Sequence, residues 1–218
     1  MLGEYSVAAN ADYGTAKGID LDIENKGQLI NTSIQYSFSI AKGNGEYDKA
    51  AFGNQYVDAP TQEYIMPYDR PHDLIISLYS TKFPHNISAG LNGYYQSGIP
   101  YTPQLEKGDG EPYDDELNKY SKRSPDYQQI DLSISKDFSF RDMDITFGLN
   151  VFNLFNVTNI LDIYTETGKP DVRSEYFTKE IGLPEWPYGG TVSNSFYDRP
   201  WMYGTPREIN FFFRIDYR

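Results

Sequence analysis

Arg207-Glu208-Ile209-Asn210-Phe211-Phe212-Phe213-Arg214-Ile215-Asp216-Tyr217-Arg218 is the last stretch of the 218-residue sequence, and its reading decides the fold. Taken two residues at a time, Ile209, Phe211, Phe213, Ile215 and Tyr217 fall on one face, and Glu208, Asn210, Arg214, Asp216 and Arg218 on the other. A period of two belongs to a strand. Charges of both signs crowded on one face need water there. The unbroken apolar row needs an oily neighbour along the whole strand.

The same period recurs upstream. Lys17 to Glu24 sets Ile19, Leu21 and Ile23 against Asp20, Asp22 and Glu24, and Asn25-Lys26-Gly27 reads as a tight turn. From Gln28 to Lys42, Ile30, Ile34, Tyr36, Phe38 and Ile40 oppose Asn31, Ser33, Gln35, Ser37 and Ser39. A helical stripe through that segment would mix Ile30 and Phe38 with Ser33 and Ser37, so the strand period wins. Strands follow at Asp73 to Phe83 and Asn86 to Ser97 around a turn at Pro84-His85. Two more run from Ile130 to Phe140 and from Met143 to Val151 around Arg141-Asp142. A further short strand is expected at Tyr5 to Ala9.

Connections decide the architecture. Turns of two or three residues alternate with long polar stretches, from Lys42 to Arg70, Gly98 to Asp126 and Asn156 to Thr205. Compact soluble domains join elements through about 4 to 6 residues, and the connections of a soluble β-sandwich, the competing all-β reading, do not sort by end. A transmembrane barrel has tight turns at one end and long loops at the other. The expectation is therefore an all-β, antiparallel transmembrane β-barrel portion of about seven strands, with residues 1–218 as one segment of a single barrel domain. Ile34, Leu91, Ile134, Leu149 and Phe213 should then face lipid. Phe83, Phe138 and Phe140 fall beside the turns, and Tyr36, Phe38 and Tyr95 toward the loops, where two aromatic girdles belong.

Composition agrees. Aromatics make up 16 % of the chain, with 20 Tyr and 13 Phe, residues suited to strands and water–lipid boundaries. Mean hydropathy is −0.61, and no apolar run approaches the roughly 18 to 20 residues of a spanning helix. That argues only against helices, because barrel strands place half their residues in water. The net charge of −12, from 31 acidic and 19 basic residues, argues against nucleic acid as a partner. Without cysteine the chain can form neither a disulfide nor a thiolate metal site. Met1-Leu2-Gly3-Glu4-Tyr5 has neither the basic nor the apolar region of a signal peptide, which suits a cytoplasmic protein or the C-terminal piece of a longer secreted chain.

Several phrases, in order, carry a family resemblance: Tyr13-Gly14-Thr15-Ala16-Lys17-Gly18-Ile19-Asp20; Asp69-Arg70-Pro71-His72; Tyr95-Gln96-Ser97-Gly98-Ile99-Pro100-Tyr101-Thr102-Pro103; Val151-Phe152-Asn153-Leu154-Phe155-Asn156; and Pro206-Arg207. Together they resemble the C-terminal part of the barrel of TonB-dependent outer-membrane receptors, over nearly the whole chain. The resemblance implies a barrel of about 22 strands around an N-terminal plug absent from this sequence. It also implies contact with the TonB complex through that absent part, and location in the bacterial outer membrane with long loops outside and short turns in the periplasm. Phe213, Ile215 and Tyr217 would form the terminal strand signal read by the barrel-assembly machinery, with Tyr217 and Arg218 in place of the family's usual final Phe.

Function follows as expectation. Active uptake of a scarce nutrient (an iron chelate, vitamin or glycan) is one reading; a passive porin or structural barrel without energy coupling is the other. Tyr94 and Gln96 on the water-facing row, and Tyr101, Tyr113, Trp186 and Tyr188 in the loops, are the candidate ligand contacts. Each ring serves either ligand or the packing of one loop on another, and for any single ring packing has the stronger claim. Catalysis is not expected: His72 and His85 fall at opposite strand ends, and no serine has a histidine nearby. No cofactor is expected. Asp109, Glu111, Asp114, Asp115 and Glu116 offer hard oxygen ligands without EF-hand spacing and read as a solvated acidic loop, so no metal site is assigned.

Overall fold

The computed structural model describes residues 13–44, 63–107, 110–174, 176 and 200–217. Twelve strands occur among them: β1 (Gly14–Lys26), β2 (Asn31–Gly43), β3 (Tyr64–Ile65), β4 (His72–Phe83), β5 (Ile87–Gln96), β6 (Pro100–Tyr101), β7 (Gln104–Lys107), β8 (Gly110–Asp114), β9 (Lys122–Arg123), β10 (Tyr127–Phe140), β11 (Met143–Phe152) and β12 (Glu208–Tyr217). The seven long ones form one antiparallel sheet in the order β1-β2-β4-β5-β10-β11-β12, and β3 prolongs the β2 ladder at its loop end. The expected all-β antiparallel fold is thus present. The sheet is not closed, and β1 and β12 stand at its two edges.

Register makes each face continuous. Ile23, Ile34, Ile76, Gly93 and Ile130 pair in series across five strands, and Ala89, Ile134, Leu149 and Phe211 across four. The opposite face carries Ser77, Asn92 and Asp131 in one row and Asp137, Thr146 and Arg214 in another. Strand contacts of any size run between hydrogen-bonded neighbours, so among the described residues no second layer packs on either face. Buried apolar side chains are accordingly few: Ala41, Met66, Val151, Tyr164 and Met202. On the apolar face Ile19 remains 70 % exposed, Phe211 81 % and Phe213 56 %. A soluble protein covers an apolar surface of that extent with a second layer.

The first turn lies later than the sequence pattern suggested. β1 runs through Asn25 to Lys26, which pairs with Asn31, so the reversal is at residues 27–30, and β2 starts at Asn31 rather than Gln28. Gly27 makes this possible, because a Cβ there would sit 2.4 Å from the Ile30 carbonyl oxygen. The second turn takes in Asn86 as well as Pro84 and His85. His85 and Asn86 have φ of 65° and 56°, the paired left-handed conformation of tight hairpins. The stretch from Gly98 to Asp126 is less irregular than its sequence implies. It contains two small ribbons, β6 with β9 and β7 with β8. The short strand expected at Tyr5 to Ala9 lies outside the described residues.

Candidate functional site

Where β4, β5 and β10 approach their loop ends, the polar face encloses a concavity of about 350 Å³ lined by Asp73, Ile75, Tyr94, Gln96, Tyr127, Gln129 and Asp131. Alternation puts these side chains on one face. Antiparallel register then sets Tyr94 between Ile75 and Gln129, and Gln96 between Asp73 and Tyr127. Two hydrogen-bonded chains fix the walls. Arg70 Nη1 donates to Gln96 Oε1 (2.8 Å), whose Nε2 donates to Asp73 Oδ2 (2.8 Å). Tyr127 OH donates to Gln129 Oε1 (2.6 Å), Gln129 Nε2 to Asp131 Oδ1 (2.7 Å), and the Asn153 amide to the same Asp131 oxygen (2.9 Å). Each carboxamide is held at both ends, so donors and acceptors are fixed before any ligand arrives. Such an arrangement suits polar recognition at low ordering cost.

Polar side chains also fasten the loops above this concavity. Asp69, 2 % exposed, accepts from the Ala41 amide (2.5 Å) and pairs with Arg123 Nη2. Arg123 Nη1 reaches the carbonyls of Asp69 (2.9 Å) and Gly98 (3.0 Å), tying three chain segments together. Asp126 accepts from Tyr95 OH (2.7 Å) and the Gly98 amide (2.9 Å). Those two donors hold its carboxyl below the ordinary carboxylate range.

Asn153, 1 % exposed and at φ 52°, donates to the carbonyls of Val157 (2.8 Å) and Thr205 (3.1 Å) and accepts from the Val157 amide (2.8 Å). Asn156 Oδ1 accepts from the Arg207 amide (2.8 Å). The Val151-to-Asn156 phrase is therefore a knot that ends β11 and starts β12. Asn159 donates to the Gln128 carbonyl (2.8 Å) and accepts from the Gln128 amide (2.9 Å), standing in for a strand partner.

Of the candidate ligand residues, Tyr94 and Gln96 lie together in the concavity. Tyr101 does not join them. It lies in β6 with its hydroxyl against Gly168, where a Cβ would come within 2.5 Å, and burial raises its phenol pKa. It packs one loop on another. Tyr113 lies in β8 opposite Leu105, half exposed and away from the concavity. Trp186 and Tyr188 fall outside the described residues.

Asp73, Ile75, Tyr127 and Gln129 were not singled out by sequence. Strand alternation was the available signal, and it became specific only with the inter-strand register. Phe213, Ile215 and Tyr217 form one exposed apolar row on β12. Phe212, on the other face, lies over Gly148, where a Cβ would meet the ring at 2.0 Å.

His72 opens β4 and bonds Tyr36 OH (2.8 Å), while His85 lies in the turn beyond the far end of that strand, so the two share no site. The expectation that no serine lies near a histidine fails, because the β4–β5 register brings Ser97 beside His72, where its Oγ accepts from the His72 backbone amide (3.0 Å). In the acidic loop Asp114 accepts from Gln104 (3.0 Å) and Asp115 from Asn118 (2.7 Å). Among the described residues no three acidic or histidine side chains gather to hold a metal ion. No protein-family model, curated protein or solved structure matches the chain.

Proposed function

We propose that this chain forms part of the wall of a bacterial outer-membrane β-barrel of the TonB-dependent receptor class, working in uptake of a scarce nutrient. One observation carries the membrane reading: among the described residues a single-layered antiparallel sheet has one apolar face with no second layer on it and one polar face, with the short turns at one end and the long connections at the other. Lipid is the neighbour that suits the first face and a water-filled lumen the second. Upstream strands of the same protein would pair with β1 and help close the barrel, removing edges that are otherwise open to aggregation. Within that wall the concavity around Tyr94 and Gln96 faces the lumen and offers fixed polar groups to a small solute.

Arginine at Leu149, in mid-strand on the apolar face, should cost about 2–4 kcal/mol of folding stability in lipid vesicles, and arginine at the neighbouring Asn150 little. Equal costs would end the membrane reading. Orientation is tested separately with single cysteines on intact cells. One at Asp115 should react with an impermeant maleimide, and one at Gln28, in the first turn, should not. Receptor and passive pore separate on energy. Uptake through a coupled receptor stops when the proton-motive force is dissipated, whereas diffusion through a pore continues.

A further inference from the structure

On the apolar face, β5 presents Gly93 between Ile76 and Ile130, and Ala89 between Ser80 and Ile134, with Leu91 between Leu78 and Leu132 in the row that separates them. The result is a slot of about 390 Å³ toward the loop end, with Gly93 as floor, Leu74, Ile76 and Ile130 as walls, and Phe155 and Val157 overhanging from the loop after β11. A smaller depression of about 150 Å³ continues past Leu91 over Ala89. Gly93 is not there for its backbone. Its φ is not positive, and a Cβ would meet nothing nearer than 4.0 Å. Gly98 differs, because a Cβ there would lie 1.7 Å from the Ser124 carbonyl oxygen. A glycine inside a strand is less favourable than alanine, because it gives up more backbone freedom on folding. What it leaves here is space.

We infer that this slot binds one acyl chain of a membrane lipid, an assignment that rests on the apolar face being the membrane face. Width selects the occupant. The flanking strands are two inter-strand spacings apart, about 10 Å, and their side chains narrow that further, whereas a helix with its side chains needs about 10–12 Å. An extended peptide would fit the width but would bring its backbone amides against a mainly apolar lining, where Gln128 and Tyr95, whose hydroxyl is already bonded to Asp126, leave most of them without partners. A hydrocarbon chain has neither problem, and the slot opens onto the surface where such chains are the solvent. Phe155, 68 % exposed at the loop end, caps it like a clamp.

The test uses the protein in phosphatidylethanolamine vesicles doped with a phosphatidylethanolamine that bears a photoactivatable diazirine in its acyl chain. Labelling should concentrate on Ile76, Ile130 and Phe155 over Phe147, an exposed apolar residue of β11 that faces the same way. Gly93→Leu fills open space and should lower labelling at the slot about tenfold, equivalent to about 1.4 kcal/mol, without changing labelling at Phe147. Phe155→Ala removes the cap without touching the sheet and should also lower it, which keeps the test decisive if the first variant inserts poorly. Uniform labelling along the face, unaltered by either substitution, would overturn the slot while leaving the membrane reading intact. Labelling at Phe147 with none at Ile76 or Ile130 would overturn it in favour of a protein partner that covers the slot and excludes lipid. Absence of labelling at Phe147 as well would remove the membrane reading together with the slot.

Discussion

The two ends of this sheet are built by different means. At the turn end, reversals of two to four residues close hairpins through backbone geometry alone: Gly27 lets the chain approach the Ile30 carbonyl, and His85, Asn86 and Arg141 take left-handed φ. At the loop end the backbone cannot satisfy itself. Asp69, Arg123, Asp126, Asn153 and Asn159 supply what neighbouring strands would otherwise provide, over sequence separations of up to 54 residues. A local end should tolerate substitution and a long-range end should not. The walls of the concavity at Tyr94 and Gln96 are likewise fixed in part by residues outside its lining, Arg70 and the Asn153 amide among them.

That contrast can be broken by substitution, here in order of expected effect and read by urea unfolding in detergent micelles. Asp69→Ala removes the counter-charge of Arg123 and the acceptor of the Ala41 amide and should cost about 3 kcal/mol, near the lower limit for breaking a buried ion pair because Arg123 is partly solvated and keeps its two carbonyl partners. Asn153→Gly keeps the left-handed backbone but removes the three Asn153 side-chain bonds of the knot, and should cost about 2 kcal/mol. A loss below half of that would make the loop end no more demanding than the turn end. Asn159→Ala unpairs both backbone groups of Gln128 and should cost about 1–2 kcal/mol, with faster amide exchange at Gln128. At the turn end, Arg141→Gly relieves a left-handed residue and should stabilise by up to about 1 kcal/mol; a loss would show that this turn relies on the arginine side chain.

The smallest effect concerns pH. The Asp126 carboxyl titrates lower in the folded protein than in the unfolded chain, so its contribution is full above the ordinary carboxylate value of 3.8 and fades as pH falls through the depressed one. Amide exchange at Gly98, corrected for intrinsic pH dependence, should rise there on acidification. In Asp126→Asn that rise should be absent.

Legibility in sequence followed the same divide. Strand middles were readable because alternation is local: Ile145, Phe147, Leu149 and Val151 announce their face without reference to any partner. The first turn was misplaced by a few residues because Ile30 continues the apolar parity of β2, while the steric requirement that fixes the bend sits at Gly27. The concavity was half visible. Tyr94 and Gln96 declare their face, but which residues of β4 and β10 stand opposite depends on register, which no single strand encodes. The Asp69–Arg123 pair was invisible, since nothing periodic links a loop aspartate to an arginine 54 residues on.

Asn159 ends the ladder beside β10 in a particular way. Its carboxamide accepts and donates as a peptide group does, but it is a side chain, while its own backbone turns to pair with the Tyr203–Gly204 segment instead of running along β10. An incoming segment that tried to grow along β10 would find its first rung occupied and nothing behind it to extend. The side chain behaves as a chain terminator in a copying reaction: it is incorporated like the genuine monomer and forbids the next addition. One such stop makes a short length of β10 unreadable as a template for a further strand.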